Sequence, residues 1–427
     1  MPPLRTRYAS PSLLLLFAVN ILNFYDRHVP GALTEPIRKE FALSDTQVGW
    51  LSTAFTLLYA VVGLPIGRLA DQWSRRKLLA CGVAVWSALT AGAAVATNYL
   101  LLLVSRLGVA VGEAVCAPAS TSWIGDLFPA ERRARALALF MLGVPVGGAL
   151  SYFFSGPIAQ AWGWRAAMAL AAAPALLLVP GLLLIREPQR GAAEAHGVNL
   201  AAGSAWSVLG IPTLWWIIAS GALLNFNMYA IGTFLPAFLS RVHGFTVGEA
   251  GVATGIAYGV GGVLGGLIAG AWGDRIVRRH QRGRMLSAAA AALLSVPSSF
   301  FGILQPSGDV ALALPLLTLA YGFLNMYYGL VYSSIQDIVA PALRGTAMAV
   351  YFLVMYLGGA SFGPVLTGNL SDRLARRAAA GGPMTEAFKA IGLQQAMFII
   401  PVLSLAVAVV LWAGSQTLVR DMERRRG

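Results

Sequence analysis

Four ionisable residues lie inside long apolar runs of the sequence, where a charge is costly: Asp26, Arg27, Arg106 and Glu113. A carboxylate and a guanidinium stabilise each other in such surroundings, and protonation of the carboxylate releases the guanidinium. Ionisable groups inside apolar segments usually have a function. We therefore predict that Asp26 and Glu113 exchange protons and that Arg27 and Arg106 bind an anionic group. A permanent ion pair that only orients two helices is the alternative.

Helical spacing places these residues on defined faces. Asn23 and Arg27 share one stripe of a helix, with Asp26 at its flank. Arg106 and Glu113 are seven positions apart and share another face. We expect both stripes to face the protein interior, with Asn23 among the substrate-binding residues.

A second set of polar side chains recurs at helical spacing later in the chain, at Asn225, Tyr229, Tyr321, Asn325 and Tyr328. An aromatic stripe is usually part of a core, but hydroxyl and amide groups that face lipid would be costly. We therefore predict that these residues form the wall of a substrate cavity.

Charged residues recur after apolar runs at nearly constant offsets. Asp71 corresponds to Asp274 at an offset of 203, and Arg133 to Arg344 at an offset of 211. A carboxylate at a helix end can meet a helix N-terminus or an arginine. These residues predict a cytoplasmic cluster that consists of Gly67, Asp71, Arg75, Arg133, Asp274, Arg275 and Arg344. A solvated loop that only fixes topology is the alternative.

Glycines at intervals of four predict close contacts between helices. Gly63 and Gly67 precede Asp71, and a longer series predicts a packing stripe through Gly251, Gly255, Gly259, Gly262, Gly266 and Gly270.

The elements that carry these residues are predicted to cross a membrane. Hydrophobic residues make up 57% of the chain and charged residues 11%, with a mean hydropathy of +0.68. The net charge of +13 comes from cations at the ends of apolar runs, so a bilayer surface is indicated and nucleic acid is not. We place twelve helices at 11–33, 47–70, 77–97, 99–125, 134–159, 164–185, 211–239, 247–272, 285–304, 310–338, 345–370 and 391–413.

The distribution of lysine and arginine predicts the orientation. These cations are more frequent in the inner segments if both termini are cytoplasmic. We predict a multi-pass, monomeric protein of the plasma membrane, which in a bacterium is the inner membrane. The repeated motifs predict two pseudo-symmetric six-helix bundles, at 1–186 and 208–427, joined by a cytoplasmic linker at 187–207.

The loop that begins Gly67-Arg-Leu-Ala-Asp71 and ends Arg75-Arg-Lys resembles the signature of the major facilitator superfamily. Gln72 and Ser74 replace its usual arginine and glycine. The string Asn20-Ile-Leu-Asn23-Phe-Tyr-Asp26-Arg27, the string Gly112-Glu113-Ala114 and the Asp126-Leu-Phe-Pro loop are similar to the spinster branch, although Asn-x-x-Asp-Arg also occurs among organic-anion symporters. The resemblance implies alternating access, a latch on one access state formed by the cytoplasmic cluster around Asp71, and transport of lysolipids or sphingoid phosphates.

Enzyme signatures are weak in this sequence. No His-Glu-x-x-His motif and no phosphate-binding Gly-x4-Gly-Lys loop occurs, so we expect no metal, no cofactor and no direct use of ATP. Gly359-Ala-Ser361-Phe-Gly363 matches a nucleophile motif, but it lies in a predicted membrane helix without a nearby histidine. A membrane receptor that does not transport is harder to exclude.

We therefore predict a secondary active transporter and not an enzyme. It is expected to couple protons to the movement of an amphiphilic or anionic small molecule. An organic anion:proton symporter or a drug:proton antiporter is the alternative.

Overall fold

The computed structural model describes residues 4–190, 192, 205–340 and 343–426, and within these ranges the secondary structure is helical. The chain divides into two compact units. Unit 1 comprises Met1–Leu43, Trp50–Val198 and Thr246–Gly255, and unit 2 comprises Ser44–Gly49, Asn199–Phe245 and Ile256–Gly427. Each unit therefore includes a short segment from the other part of the sequence.

Unit 1 contains most of the first nine helices, and its charged site is built from α1, α3, α4 and α5. The helices are α1 (Leu4–Ala32), α2 (Thr34–Glu40), α3 (Asp45–Gln72), α4 (Arg75–Ala93), α5 (Tyr99–Glu113), α6 (Cys116–Leu127), α7 (Ala130–Met141), α8 (Gly143–Ala172) and α9 (Ala175–Leu184).

The second half of the chain follows the same plan with nine further helices, most of them in unit 2. They are α10 (Pro212–His243), α11 (Val247–Ile256), α12 (Gly262–Val277), α13 (Gly283–Leu304), α14 (Val310–Ile338), α15 (Arg344–Met355), α16 (Phe362–Ala378), α17 (Glu386–Met397) and α18 (Ile399–Arg426). All but one residue of α11 belong to unit 1. Two π-helical segments, Ala257–Gly261 and Tyr356–Ala360, interrupt the helices in unit 2.

The lengths of these helices agree with twelve membrane crossings. Ten helical stretches of the described chain are long and apolar enough to span a bilayer. One of them, Arg135–Leu184, has 50 residues. Its helical backbone is interrupted at Gly163, whose φ of 83° is not helical, so this stretch supplies two crossings. The 19-residue α4 begins with three cations and adds the twelfth. This confirms the predicted fold class, an all-helical membrane protein with twelve membrane-spanning helices in two six-helix halves.

Local sequence explains several helix ends near the charged residues. The Ser74 side chain accepts a hydrogen bond from the Lys77 amide at the start of α4, and Asn98 does the same for the Leu101 amide at the start of α5. The span predicted at 99–125 corresponds to one helical stretch, Tyr99–Leu127, but within it α5 ends at Glu113 and α6 begins at Cys116. The break places Glu113 at a helix end.

The glycine stripes are only partly as predicted. A Cβ on Gly251 would come within 2.7 Å of the Tyr152 carbonyl oxygen, and one on Gly255 within 3.1 Å of the Ala149 carbonyl oxygen, so these glycines do allow α11 to approach α8 closely. The series does not continue as predicted, because the π-helical segment turns the helix and the contacts pass to Gly261 and Gly265, which pack on α14. A Cβ at four further positions would meet no atom of the described residues within 4 Å, so the close contacts predicted for them are absent from this conformation: Gly63, Gly67, Gly266 and Gly270.

The first turn of α3 is held by a polar cluster within unit 2. Arg241 donates two hydrogen bonds to the Asp45 carboxylate, at 2.9 and 2.8 Å, and Ser371 donates another at 2.6 Å. Asp372 accepts hydrogen bonds from the amides of Asp45 and Thr46. A carboxylate at the beginning of a helix is favourable because the free amides and the helix dipole are positive there. Residues 44–49 are thereby fixed in unit 2, although the rest of α3 belongs to unit 1.

Candidate functional site

The four ionisable residues of the apolar runs meet within unit 1. Arg27 on α1 donates to Glu113 Oε2 at the end of α5, at 3.3 Å from Nε and 3.2 Å from Nη2. The Arg27 and Glu113 side chains are 4% and 0% exposed. A buried charge pair of this kind is strongly coupled, because loss of one partner leaves the other charge uncompensated. The structure thus pairs Arg27 with Glu113 and not with its neighbour Asp26.

Arg106 and Asp26 are also buried, but they form no ion pair with each other. Arg106 Nη1 lies 3.5 Å from the backbone carbonyl oxygen of Asp26. Neither carboxylate oxygen of Asp26 has a hydrogen-bond partner among the described residues. Nε of Arg106 also lacks a partner there. Asp26 is 0% and Arg106 3% exposed. The site therefore holds one ion pair, between Arg27 and Glu113. Beside it lie a carboxylate, Asp26, and a guanidinium, Arg106, that form no ion pair with each other.

Aromatic rings surround the two guanidinium groups. The Arg27 guanidinium carbon lies 4.4 Å from the centre of the Tyr59 ring and 4.7 Å from that of Phe24. The Arg106 guanidinium carbon lies 4.8 Å from the Phe55 ring centre. The faces of aromatic rings attract cations, and the attraction increases when water is excluded. Phe55 and Tyr59 on α3 were not predicted from the sequence, although their spacing of four residues was a usable signal.

Close packing between α1 and α8 fixes the polar stripe of α1. A Cβ on Gly147 would lie 2.4 Å from the carbonyl oxygen of Ile21, so only glycine allows this approach. Asn20 donates to the Phe140 carbonyl oxygen at 2.7 Å. Asn23 is buried in the same stripe, and its amide nitrogen lacks a hydrogen-bond partner in the part of the chain that the structure describes. Asn23 therefore faces the protein interior, as its predicted role requires.

The predicted tyrosine and asparagine residues come together within unit 2. The Tyr328 hydroxyl donates to Asn225 Oδ1 at 3.0 Å. Tyr321 is buried and stacks on Tyr258 with ring centres 4.3 Å apart. Tyr229 and Asn325 are both half-buried. Asn325 has no hydrogen-bond partner among the described residues. We call the five predicted residues the polar aromatic surface of unit 2, and within it Tyr328 contacts Asn225 directly.

The two π-helical segments each add a tyrosine to this surface. Tyr258 lies in the segment Ala257–Gly261, and Tyr356 begins the segment Tyr356–Ala360 and meets the Tyr229 ring edge to face at 6.3 Å. Single π turns inside α-helices are frequent at functional sites. The sequence did not predict Tyr258 and Tyr356, because nothing in a regular helical repeat shows where an extra residue is inserted.

Among the predicted latch residues of unit 1, Arg75 has the central place. Its side chain is buried and donates to Glu187 Oε1 at 3.0 Å, to Ser122 Oγ at 3.1 Å and to the Asp126 carboxylate. It also donates to the Pro188 carbonyl oxygen at 2.9 Å. Arg75 thus ties the start of α4 to the end of α6 and to the segment after α9.

Unit 2 repeats this ion pair with two residues that were not among the predicted latch residues. Arg284 at the start of α13 donates to Asp337 near the end of α14 at 2.7 Å. Arg75 and Asp126 hold the corresponding places in unit 1, at offsets of 209 and 211. The offset of 211 that relates Asp126 to Asp337 carries Arg75 to Leu286, so it points to the start of α13 but misses Arg284 by two positions.

The other predicted latch residues are more dispersed. Asp71 and Arg275 are exposed, and Asp71 has no polar partner among the described residues. Arg133 donates to the Phe128 carbonyl oxygen at 3.4 Å, and Arg344 to the Gln336 carbonyl oxygen at 3.1 Å. The side chain of Asp274 lies outside the described residues.

The charge of Glu187 is expected to contribute to stability above acid pH. Burial alone would raise the pKa of Glu187, but hydrogen bonds from Ser74 and Arg75 outweigh it and hold the pKa below the ordinary value of 4.5. A lowered pKa in the folded state adds stability above the unfolded-state pKa, and this stability is lost as the pH falls through the folded-state pKa. Thermal unfolding of purified protein should therefore lose stability on acidification, and Glu187→Gln should reduce this loss. Glu386→Gln, at an exposed carboxylate, is the control and should leave the slope unchanged.

Replacing Asp71 tests the latch separately from folding. Because Asp71 is exposed and without a partner in the described chain, Asp71→Asn should leave the melting temperature within about 1 °C of wild type. If the carboxylate forms its contact in another access state, the same variant should lose most transport. Uptake into vesicles measures the effect, and full transport by Asp71→Asn would exclude the latch.

Comparison with known proteins agrees with this architecture. The sequence profile described as Major Facilitator Superfamily matches residues 16–364. An MFS-type efflux pump of Mycolicibacterium smegmatis is 32% identical over 98% of this chain and 95% of its own. A sphingosine-1-phosphate transporter of Danio rerio is 28% identical over 83% of this chain and 74% of its own.

A solved structure is similar over nearly the whole length. It is that of a bacterial homologue of the human lysosomal transporter Spinster, in an inward-facing and unoccupied conformation. It covers 99% of both chains at 29% identity, with a TM-score of 0.88. The paired motifs of the two halves and the buried charged residues of α1 and α5 thus occur in a chain that belongs to the Major Facilitator Superfamily of transporters, in its spinster branch.

Proposed function

We propose that this transporter couples protons to the movement of an amphiphilic molecule with an anionic head group. The observation that carries the proposal is the buried guanidinium of Arg106, which has no carboxylate within ion-pair distance in the described chain. A buried charge without an ion-pair partner is costly, and an anionic ligand in contact with the guanidinium would reduce that cost. Arg106 is therefore the proposed anion-binding residue, together with the buried Asn23 of α1 and with Arg27 once Glu113 releases it.

The two carboxylates support proton coupling because their surroundings differ. Glu113 neutralises Arg27, whereas both oxygens of Asp26 lack a partner among the described residues. A proton that binds Glu113 would release Arg27, and a proton that binds Asp26 would remove a negative charge near Arg106. Protonation of either residue thus changes how strongly unit 1 attracts an anion. We propose Asp26 and Glu113 as the coupling residues.

The substrate class is inferred from the polar aromatic surface of unit 2 and from the relatives. Rings with hydroxyl groups, such as Tyr321 and Tyr328 beside Asn225, can contact an apolar chain and still bind polar atoms. We propose that this surface, with Tyr229 and Asn325, contacts substrate. The zebrafish relative acts on sphingosine-1-phosphate, so a sphingoid phosphate or lysolipid is the first candidate.

A second candidate function is proton-driven efflux of hydrophobic compounds. It is favoured by the mycobacterial relative, an efflux pump to which the identity is higher. The two functions differ in their need for Arg106, since a neutral or cationic compound would gain nothing from a guanidinium. Export of a cationic dye by Arg106→Gln at the wild-type rate would favour this alternative.

A thermal-shift screen of purified protein tests the anion proposal. Sphingosine phosphate, a lysophospholipid and a small dicarboxylate are added separately, and the melting temperature is measured for wild type and Arg106→Gln. Ligand that binds only the folded state raises the melting temperature. We expect the anionic amphiphiles to stabilise wild type and not the variant, and equal stabilisation of both would contradict the proposal.

The remaining predictions fit this transport cycle and are part of the proposal. We propose alternating access between two halves, 1–186 and 208–427, with 187–207 as the linker and both termini in the cytoplasm. Gly67, Asp71, Arg75 and their counterparts are proposed to stabilise one access state on the cytoplasmic side. The protein is proposed to act as a monomer in the plasma membrane.

A further inference from the structure

One aromatic ring of α3 contacts both guanidinium groups of the site. The guanidinium carbon of Arg106 lies 4.8 Å from the centre of the Phe55 ring, and that of Arg27 lies 5.3 Å from it. Arg27 has two nearer rings, those of Tyr59 and Phe24, at 4.4 and 4.7 Å. For Arg106, Phe55 supplies the one ring contact among the described residues. Arg106 therefore depends on Phe55 more than Arg27 does.

The Phe55 ring lies where little water can reach it. Phe55 is 2% exposed and belongs to the buried apolar core of unit 1. Tyr59, one helical turn further along α3, stacks on it with ring centres 6.1 Å apart and planes inclined by 18°. The attraction between a cation and the face of an aromatic ring increases when both are removed from water. The Phe55 ring therefore stabilises the charge of Arg106 in the absence of an ion pair.

A ring and a carboxylate stabilise a guanidinium in different ways. A carboxylate accepts hydrogen bonds from the N–H groups at the edge of the guanidinium, whereas a ring face attracts its charge and needs none of these hydrogen bonds. Nε of Arg106 has no hydrogen-bond partner among the described residues, and Nη1 contacts the Asp26 carbonyl oxygen at the long distance of 3.5 Å. The contact with Phe55 thus holds the charge of Arg106 without using its Nε donor.

Asp26 offers Arg106 a competing partner. Arg106 already contacts the main chain of Asp26, and both carboxylate oxygens of Asp26 lack a hydrogen-bond partner among the described residues. An ion pair between the two side chains would occupy the donors that an anionic ligand needs. We propose that Phe55 is a positioning residue whose ring face holds Arg106 in the orientation that binds an anion and away from the Asp26 carboxylate. This proposal rests on the proposed role of Arg106 in anion binding.

Fluorinated phenylalanines in place of Phe55 test the ring face separately from the size of the ring. Each fluorine withdraws electron density from the ring face and weakens its attraction for a cation, with little change in volume. The full-length protein is purified with a ring that carries no, one, two or three fluorine atoms, and its affinity for sphingosine phosphate is measured by titration calorimetry. We expect the affinity to fall stepwise along the series, by about tenfold with three fluorines, because the binding-competent orientation of Arg106 is populated less.

The same series in Asp26→Asn identifies the competing partner. This variant lacks the carboxylate, so an Arg106 that loses its ring contact can form no ion pair there. We expect three fluorines to lower the affinity by less than about twofold in Asp26→Asn, because the two changes act on one equilibrium. Phe140 is the control, since it is 1% exposed in the same apolar core and no cation contacts its ring among the described residues. Fluorination of Phe140 should leave the affinity unchanged.

The outcomes separate this proposal from the one on which it rests. If Arg106 does not bind the anion, wild type and Arg106→Gln will have the same affinity for sphingosine phosphate, and both proposals are wrong. If Arg106 binds the anion but Phe55 does not position it, Arg106→Gln will lose affinity while the fluorinated rings at Phe55 keep the wild-type value. An equal loss with and without the Asp26 carboxylate would also overturn the proposal, as would an equal loss on fluorination of Phe140.

Discussion

Arg106→Lys is expected to reduce transport of an anionic amphiphile by about tenfold to a hundredfold, even though it keeps the positive charge. A guanidinium can donate two parallel hydrogen bonds to a phosphate or carboxylate, whereas an ammonium acts as a single point charge. Arg106 is a buried guanidinium without a carboxylate partner in the described chain, and its Nε has no hydrogen-bond partner there. Initial rates of uptake of a labelled sphingoid phosphate into proteoliposomes measure the effect.

A control variant separates charge geometry at Arg106 from a general effect of lysine. Arg165 forms an ion pair with Glu40 at 2.6 Å, but its side chain is 41% exposed. Exposed pairs contribute little, so Arg165→Lys should transport at close to the wild-type rate. Normal transport by Arg106→Lys would show that Arg106 serves the structure and not substrate binding.

Asp26→Asn is expected to abolish accumulation driven by a pH gradient while it preserves exchange of substrate across the membrane. An amide cannot take up and release the proton, but it leaves the arginines able to bind an anion. The ion pair between Arg27 and Glu113 also stays intact, so the melting temperature should change little. Uptake with and without a pH gradient, together with counterflow exchange, separates coupling from binding.

Glu113→Gln is the matched variant, and it should differ from Asp26→Asn in one respect. It removes the buried partner of Arg27 and should lower the free energy of unfolding by about 3 kcal/mol, because a buried guanidinium loses its neutralising charge. Both variants should lose gradient-driven accumulation. Accumulation against a gradient by both would mean that protons do not act through α1 and α5.

The sequence was sufficient for the placement of the charges because the membrane restricts what they can do. Asp26, Arg27, Arg106 and Glu113 had to face the interior, since lipid cannot solvate them. The choice of partner did not follow in the same way. Asp26 and Arg27 are adjacent in sequence and point in different directions on α1, so the pair forms between Arg27 and Glu113. The helical period shows which residues share the buried face of one helix. It does not show which residues of the neighbouring helix lie opposite them.

Backbone irregularities were the second limit. The end of α5 at Glu113 and the π-helical segments at Ala257–Gly261 and Tyr356–Ala360 interrupt runs that are apolar and regular in sequence. These interruptions depend on packing between helices, as at Gly359, whose Cβ would lie 2.0 Å from the Ala222 carbonyl oxygen. The same dependence explains why the predicted glycine contacts failed at Gly67 and succeeded at Gly251. The spacing of glycines shows which face of a helix is small, but it does not show whether another helix packs against that face.

Proton movement that accompanies substrate movement is the central claim, and it can be measured directly. Wild-type protein is reconstituted into liposomes that contain a pH-sensitive dye, and a sphingoid phosphate gradient is applied without an initial pH difference. The account predicts a substrate-dependent change of internal pH in wild type that is absent with Asp26→Asn. Substrate transport by wild type with no change of internal pH would contradict it.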